Sequence, residues 1–445
     1  MHVVLFARRC LLVLVVWVAA LVSVTAQDIP NPFPAREVSG FTLANGLHVV
    51  VREDHSLPVV SMVVVVRGGS SCEMNTRGAA HYLEHLVFQG TKKYPTPLAP
   101  QTTLESKGGL CSAVTTRDMT RFQATISTDQ TELLIDVLTD LTQTATLDDT
   151  RFAWERPTIL AEIQRDIDNP LTTGINLANY FTYLAHPYRH PVAGTPDEVL
   201  ALSVTDIRTF YRRWYVPKNM SVVFVGDITP RKALLLLNKA FAQARTTSPP
   251  ALPAVDAYPP KTLARLHIPR DIPSTYQVMA YPAPGGSDVT RVVANDLLMT
   301  LLGDTDEALL GKWWAQQGIT VDRYGIEYVT SRAPGRFLIW AQSSPKMAVR
   351  VREATQSLLT KLYSGQIPPE AFALAKQRLA AQFLIDNETY SQQASTLAYF
   401  EGISTAAQAT LYVPLARAVT VEQVRPAVPH QLLGWITIGA APEGE

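Results

Sequence analysis

The chain closes each of its two halves on the same pattern. Ser203, Val204, Ile207 and Arg208 in SVTDIRTFYRRWYVPKNMSVVFVGDITP are matched by Thr420, Val421, Val424 and Arg425 in TVEQVRPAVPHQLLGWITIGAAP. Each match is followed by an apolar run ending near glycine, SVVFVG in one and WITIGA in the other. A pattern that recurs at the end of two parts of similar length points to a duplicated domain. Between the parts lies TTSPPALPAVDAYPPK, whose proline content suits an extended linker. The expected organisation is a first domain over 27–245, a linker over 246–261 and a homologous second domain over 262–445.

Local patterns switch between the period of a strand and that of a helix. FTLANGLHVVVRED places Asn-Gly between two alternating runs, a hairpin signal. VVSMVVVVRGG is β-branched and bounded by glycine, as a buried strand is. RFQATIS, YQVMAY and RFLIWAQ also read as strands. TELLIDVLTDLTQTA, DVTRVVANDLLMTLLG, MAVRVREATQSLLTKLY and PEAFALAKQRLAAQFLI read as helices. Hairpins mixed with helices, without regular βαβ alternation, predict an α+β fold in which each domain is a mainly antiparallel sheet packed with helices.

Thirty-nine basic and 39 acidic side chains balance, so nothing suggests electrostatic capture of nucleic acid or of an acidic membrane surface. At the N-terminus Arg8 and Arg9 precede LLVLVVWVAALV and then SVTAQ, the three parts of a secretory signal. Cleavage is expected after Ala26, leaving an exported protein, periplasmic or secreted, with no membrane span. An uncleaved anchor is the alternative, although the run is short against the about 20 residues a bilayer needs. Beyond the signal two cysteines remain, Cys72 and Cys111. Export would permit a disulfide between them; two free buried thiols fit the sequence equally well.

Between Gly78 and Gly90, a stretch that reads as a helix, stands HYLEH. Positions four apart share a helix face, so His81 and His85 can point two imidazoles at one ion. Glu84 can sit beside that ion without binding it and act on a water there, which zinc activates by lowering its pKa toward about 7. Two half-buried histidines on an ordinary helix are the plainer alternative. A catalytic zinc takes a third protein ligand, and ERPTILAEIQRDIDNP offers Glu155 and Glu162, seven apart on one face. Periodicity alone does not choose Glu162 over Glu155 or Asp166. His186 and His190 are also four apart, but Pro187 and Pro191 argue for a loop.

HYLEH followed by ERPTILAE resembles the insulinase/pitrilysin family of zinc metallopeptidases, the inverzincins. FTLANGLHVVVRED, GAAHYLEHLVFQGT, LESKGG, the TTRDMTRF run and HPVAGTPDEV are similar to the family's N-terminal half, and the second half resembles its C-terminal domain more loosely. The likeness is to the short-chain branch that holds mitochondrial processing peptidase and bacterial two-chain peptidases. In the family the third ligand is the second glutamate of ExxxxxxE, at the spacing found here, where 76 residues separate His85 from Glu162. The resemblance therefore implies one Zn2+ per chain held by His81, His85 and Glu162, with Glu84 as general base and Glu155 orienting a ligand histidine. It also implies a peptide substrate lying extended beside the strand that carries Ser112 and Ala113.

Three departures qualify the likeness. Ser112 replaces an asparagine frequent in the family's GGxxNAxT segment. Pro157 lies in the ligand helix, where it should kink the chain or stand near the helix start. The family's C-terminal domain usually carries an arginine and, seven residues on, a tyrosine that polarise the substrate; aligned at Gln317 and Gly318, those positions here are Trp314 and Val321. Arg323 and Tyr324 are close but out of register. The resemblance then implies the zinc-bearing chain of a heterodimer whose related partner supplies arginine and tyrosine. A self-sufficient homodimer, with Arg323 as substitute, and a non-catalytic zinc-binding scaffold or core subunit are the alternatives.

Overall fold

The computed structural model describes residues 29–254, 263–303 and 308–442. The signal-like segment 1–26 and residues 255–261 of the proline-rich stretch lie outside them. The first half contributes β1 (Val38–Thr42), β2 (His48–Glu53), β3 (Val59–Val66), β4 (Leu110–Thr115), β5 (Thr120–Ser127) and β6 (Met220–Gly226). The second contributes β7 (Ala264–Pro269), β8 (Thr275–Pro282), β9 (Arg323–Tyr328), β10 (Arg336–Ser343) and β11 (Gly434–Gly439). The helices that matter most are α1 (Ala79–Phe88), α2 (Asp149–Asp168), α3 (Pro170–Thr182), α4 (Val204–Trp214), α5 (Tyr390–Ile403) and α6 (Val421–Val424).

The two sheets repeat one topology. The first has the order β1-β2-β6-β3-β5-β4 and the second β7-β11-β8-β10-β9. From β2 and β7 onward the orders correspond strand for strand. The closing strand of each half, β6 or β11, runs parallel to β2 or β7 and antiparallel to β3 or β8. All remaining ladders are antiparallel. The repeated sequence match sits at the same place in both. Ser203 with Asp206 forms a capping box at the start of α4, and Thr420 with Gln423 does so at the start of α6. Each box satisfies N–H groups that a helix start leaves free, and each helix leads toward the strand that closes its sheet.

The β1–β2 hairpin forms as expected, with a longer turn than Asn-Gly alone requires. Thr42 pairs with His48, so the connection is Leu43–Leu47. Asn45 accepts the Leu47 amide through Oδ1 at 3.1 Å, and Gly46 takes a φ of +90° that a side chain would strain. β3 and β6 are valine-rich because both faces of the sheet are covered. Val49, Val51, Met62, Val64, Val222 and Phe224 point into the core beneath α1. Val50, Val63, Val65, Val223 and Val225 point the other way.

That second face is covered by a helix from the other half of the chain. Ala394, Leu397 and Ala398 of α5 pack into the same cluster as Val63 and Val223. At Gly402 a Cβ would stand 2.2 Å from Met119 Sδ, so α5 can approach this closely only without a side chain there. The exchange is reciprocal. α3, from the first half, lies on the second sheet, where Ala178 joins Val278, Ala280, Leu338, Ile436 and Ile438. A Cβ on Gly174 would come 2.9 Å from Val278 Cγ2. Polar contacts fasten the same interface: Arg52 Nη1 donates to Gln393 Oε1 at 2.7 Å, and Tyr390 Oη to Asp54 Oδ1 at 2.7 Å.

Pro157 is the ninth residue of α2, so it lies inside the helix and not near its start. The helix continues through it to Asp168, held by the packing of Phe152, Glu155, Ile159 and Ile163. Cys72 and Cys111 are both free, the first buried and the second partly so. No helix of the described residues is long and apolar enough to cross a membrane.

Candidate metal centre

α1 begins at a buried carboxylate. Gly78 precedes the helix with a φ of +84°, and a Cβ there would lie 2.7 Å from Ala193 O. Glu73, 3% exposed, accepts the Gly78 amide at 2.9 Å and the Ala80 amide at 2.8 Å. Burial pushes the Glu73 carboxyl up to about 8, with these two amide hydrogen bonds pulling the other way. Tyr82, Leu83, Leu86 and Val87 are buried, which sets the rotation of the helix. His81, Glu84 and His85 therefore share the opposite face.

α2 supplies the facing wall. Asp148 caps it, accepting the Arg151 amide at 2.9 Å. The Tyr82 and Phe152 rings stack at 4.5 Å, and Tyr82 Oη donates to Phe152 O at 2.5 Å. This fixes the height of α2 against α1 and brings Glu155 and Glu162 to the histidines. One ligand atom from each of His81, His85 and Glu162 lies within 4.8 Å of the others. Glu162 Oε2 is 3.7 Å from His81 Nε2 and 3.6 Å from His85 Nε2. Tetrahedral bonds of about 2.0–2.1 Å place zinc ligands about 3.3 Å apart, so the three donors fit such an ion with little adjustment. Glu155 stands behind: its Oε1 meets His85 Nδ1 at 2.9 Å. Asp166, one turn beyond Glu162, is exposed and outside the cluster.

The electrostatics suit a cation. Three carboxylates, Glu84, Glu155 and Glu162, surround two imidazoles. Burial would lower the His85 pKa, but the hydrogen bond it donates to Glu155 and the charges of Glu162, Glu155 and Glu84 outweigh it and raise it. His81 lacks that support: burial, with the charge of His85, pushes it down to about 4. Burial raises the Glu84 carboxyl, with hydrogen bonding from Thr115 pulling the other way. Glu84 Oε2 and His81 Nδ1 are buried without a hydrogen-bond partner. A carboxyl raised by burial and free at one oxygen is poised to exchange a proton.

His81 opens onto a cavity of about 600 Å3 between the halves. Thr115, Arg117 and Asn176 of the first half line it, and Glu327 and Tyr399 of the second. Ser112 and Ala113 lie on the edge strand β4, paired with Gln123 and Phe122, and do not line this cavity. Nor do Trp314, Val321 or Arg323. Trp314 is 1% exposed in the second core, donating to Thr355 Oγ1 at 3.2 Å and meeting the Tyr324 ring edge-on at 5.1 Å. Arg323 is exposed at the start of β9. His186 and His190 flank a short 3-10 turn and form no pair.

Two residues in this neighbourhood escape the motif. Arg117 follows β4 and lines the cavity, its Nε donating to Tyr188 O at 3.0 Å. Gln89 Nε2 donates to Glu155 Oε2 at 2.6 Å. A glutamine with its partner 66 residues away leaves no periodic or charge signal.

The model of the insulinase family, peptidase family M16, matches residues 48–190, and that of the M16 inactive domain matches residues 201–379. An uncharacterized zinc protease of Mycobacterium leprae is 27% identical over 404 residues, covering 88% of each chain. Zinc protease PqqE of Helicobacter pylori is 26% identical over 367 residues, covering 80% of this chain and 82% of that one. The crystal structure of a protease from Helicobacter pylori superposes with a TM-score of 0.82 at 24% identity, over 90% of this chain and 98% of that one. With two matched domains in the order of the two sheets, and a His/His/Glu cluster in the first, the chain belongs to the insulinase family of peptidases, family M16.

Proposed function

We propose that the chain is an exported zinc-dependent endopeptidase that cleaves peptides or unfolded segments, working as the catalytic subunit of a two-chain enzyme. The observation that carries this reading is the convergence of His81, His85 and Glu162 within 4.8 Å, with Glu84 beside them and a cavity in front. Zinc held by these three residues would supply Lewis acidity and a water of lowered pKa. The chain's own part is then clear. Glu84, raised by burial, takes the proton from the water and passes it to the leaving amine. Glu155 holds His85 by Nδ1, so that Nε2 is the atom presented. The cavity onto which His81 opens would receive the peptide.

The two-chain part rests on Trp314 and Val321. Val321 carries no donor, and Trp314, whose indole N–H is taken by Thr355, is sealed in the second core. Arginine and tyrosine would have to come from a related partner. A second reading, a self-sufficient chain, is favoured by one observation: Arg117 lines the same cavity as His81. The test is hydrolysis of a quenched peptide library by the pure, zinc-loaded mature chain, with Glu84→Gln as the blank. No turnover above the blank, and turnover on adding a related chain that carries the arginine and tyrosine, supports the two-chain reading. Full turnover alone, lost in Arg117→Ala, supports the second. Zinc bound but no hydrolysis with any partner would sink both and leave a scaffold.

A further inference from the structure

The two helices that carry the candidate ligands are joined at Gln89. We infer that Gln89 is a positioning residue for the metal, fixing His85 through Glu155 and fixing α2 through its own backbone. The inference rests on reading His81, His85 and Glu162 as a zinc site.

The side-chain link is short and saturated. Gln89 Nε2 donates to Glu155 Oε2 at 2.6 Å, and Glu155 Oε1 meets His85 Nδ1 at 2.9 Å. An ionised carboxylate only accepts, so the N–H end of the amide must be the end that faces it. Each carboxylate oxygen then has one fixed partner, and the group cannot rotate without losing one. Glu155 is 8% exposed, so water is a poor replacement for a lost partner. Held by Nδ1, His85 presents Nε2, the atom 3.6 Å from Glu162. His81 has no equivalent brace, its Nδ1 being buried without a hydrogen bond. The orientation of the His85 imidazole therefore depends on one chain of contacts, Gln89 to Glu155 to His85.

The backbone of Gln89 does a second job. Gln89 ends α1, and its carbonyl accepts from Arg151 Nε at 2.9 Å. Arg151 stands in the first turn of α2, with its amide on the capping Asp148 and its Nη2 on Pro95 O at 2.6 Å. The end of α1 and the start of α2 are thus pinned at the residue whose side chain reaches Glu155. Glu162 follows two turns later on the same face. The register of both acidic residues against both histidines is set at this point.

Gln89→Met keeps the length of the side chain and removes the donor. The full chain is titrated with zinc against a chromophoric chelator, and the visible spectrum of the cobalt-loaded chain is recorded; neither readout needs activity. Zinc binding should weaken about 10-fold, the low end for outer partners of metal-bound histidines. The cobalt bands should move, while the metal-free chain melts near the wild-type temperature. Glu155→Ala should weaken zinc at least as much, and adding Gln89→Met to it should cost nothing more, because residues acting through one contact are not additive. Zinc affinity unchanged within twofold in Gln89→Met, or losses that add in the double variant, would overturn the role of Gln89 and leave the metal site standing. A wild-type chain that binds no zinc would overturn both readings.

Discussion

Glu401 and Arg67 belong to different halves of the chain and meet as an ion pair, Oε1 to Nη2, at 2.6 Å. Glu401 is 4% exposed, and its remaining capacity is taken by Ser221 Oγ at 3.0 Å and the Ala406 amide at 3.0 Å. Removing one member of a buried pair strands the other, at a cost of about 3–5 kcal/mol. Because Arg67 is partly exposed, Glu401→Ala should lose about 3 kcal/mol in urea unfolding. The double variant Glu401→Leu with Arg67→Met should lose less than Glu401→Ala alone. Equal losses would mean that the charges are not coupled.

Metal retention and catalysis should separate by residue. His85→Ala and Glu162→Gln should each abolish stoichiometric zinc, measured by elemental analysis after dialysis. Glu84→Gln should keep zinc and lower hydrolysis by about 100-fold or more. Hydrolysis retained in Glu84→Gln would exclude Glu84 as the base.

The Asp54–Tyr390 contact predicts a pH dependence. Burial alone would raise the Asp54 carboxyl; hydrogen bonds from Tyr390, Ser56 and Arg52 outweigh it and hold it well below the usual carboxylate range. A lowered folded-state value contributes stability that is full above the unfolded value, about 4. That contribution is lost as the pH falls from there toward the folded value. Tyr390→Phe should therefore cost about 2 kcal/mol at pH 7 and progressively less below pH about 4. Urea melts of both chains at pH 7 and at pH 3 check this; a constant difference would sever the effect from Asp54.

Glu73→Ala should destabilise the start of α1. The variant loses two accepted amide hydrogen bonds at the helix start, about 1–2 kcal/mol. Since the helix carries His81 and His85, zinc binding should weaken as well. Amide exchange at Gly78 and Ala80, faster in the variant, gives the local readout.

What the sequence disclosed follows from range. The α1 helix and the valine strands are written in neighbouring residues, and they stand where their patterns put them. Glu162 needed the family spacing, because a helix period treats Glu155, Glu162 and Asp166 alike. The structure separates them by depth: Glu155 behind His85, Glu162 before both histidines, Asp166 in solvent. Pro157 stands inside α2, where the packing of Phe152, Ile159 and Ile163 carries the helix past the lost backbone bond. Gln89 was invisible, a neutral side chain whose partner lies far along the chain. So was the destination of α5, since an apolar helix does not say which sheet it covers.

The exchange of α3 and α5 also sets a timetable for synthesis. When β6 is complete, the first sheet has all its strands, yet Val50, Val63, Val65, Val223 and Val225 have nothing to cover them. The ribosome must add about 160 more residues before α5 begins, on the order of ten to thirty seconds of translation. Through that interval the nascent chain carries a bare valine surface with an open strand edge. A chain built this way depends on being held until its last third is made, and its yield should track the supply of holding chaperones more closely than the temperature of the culture.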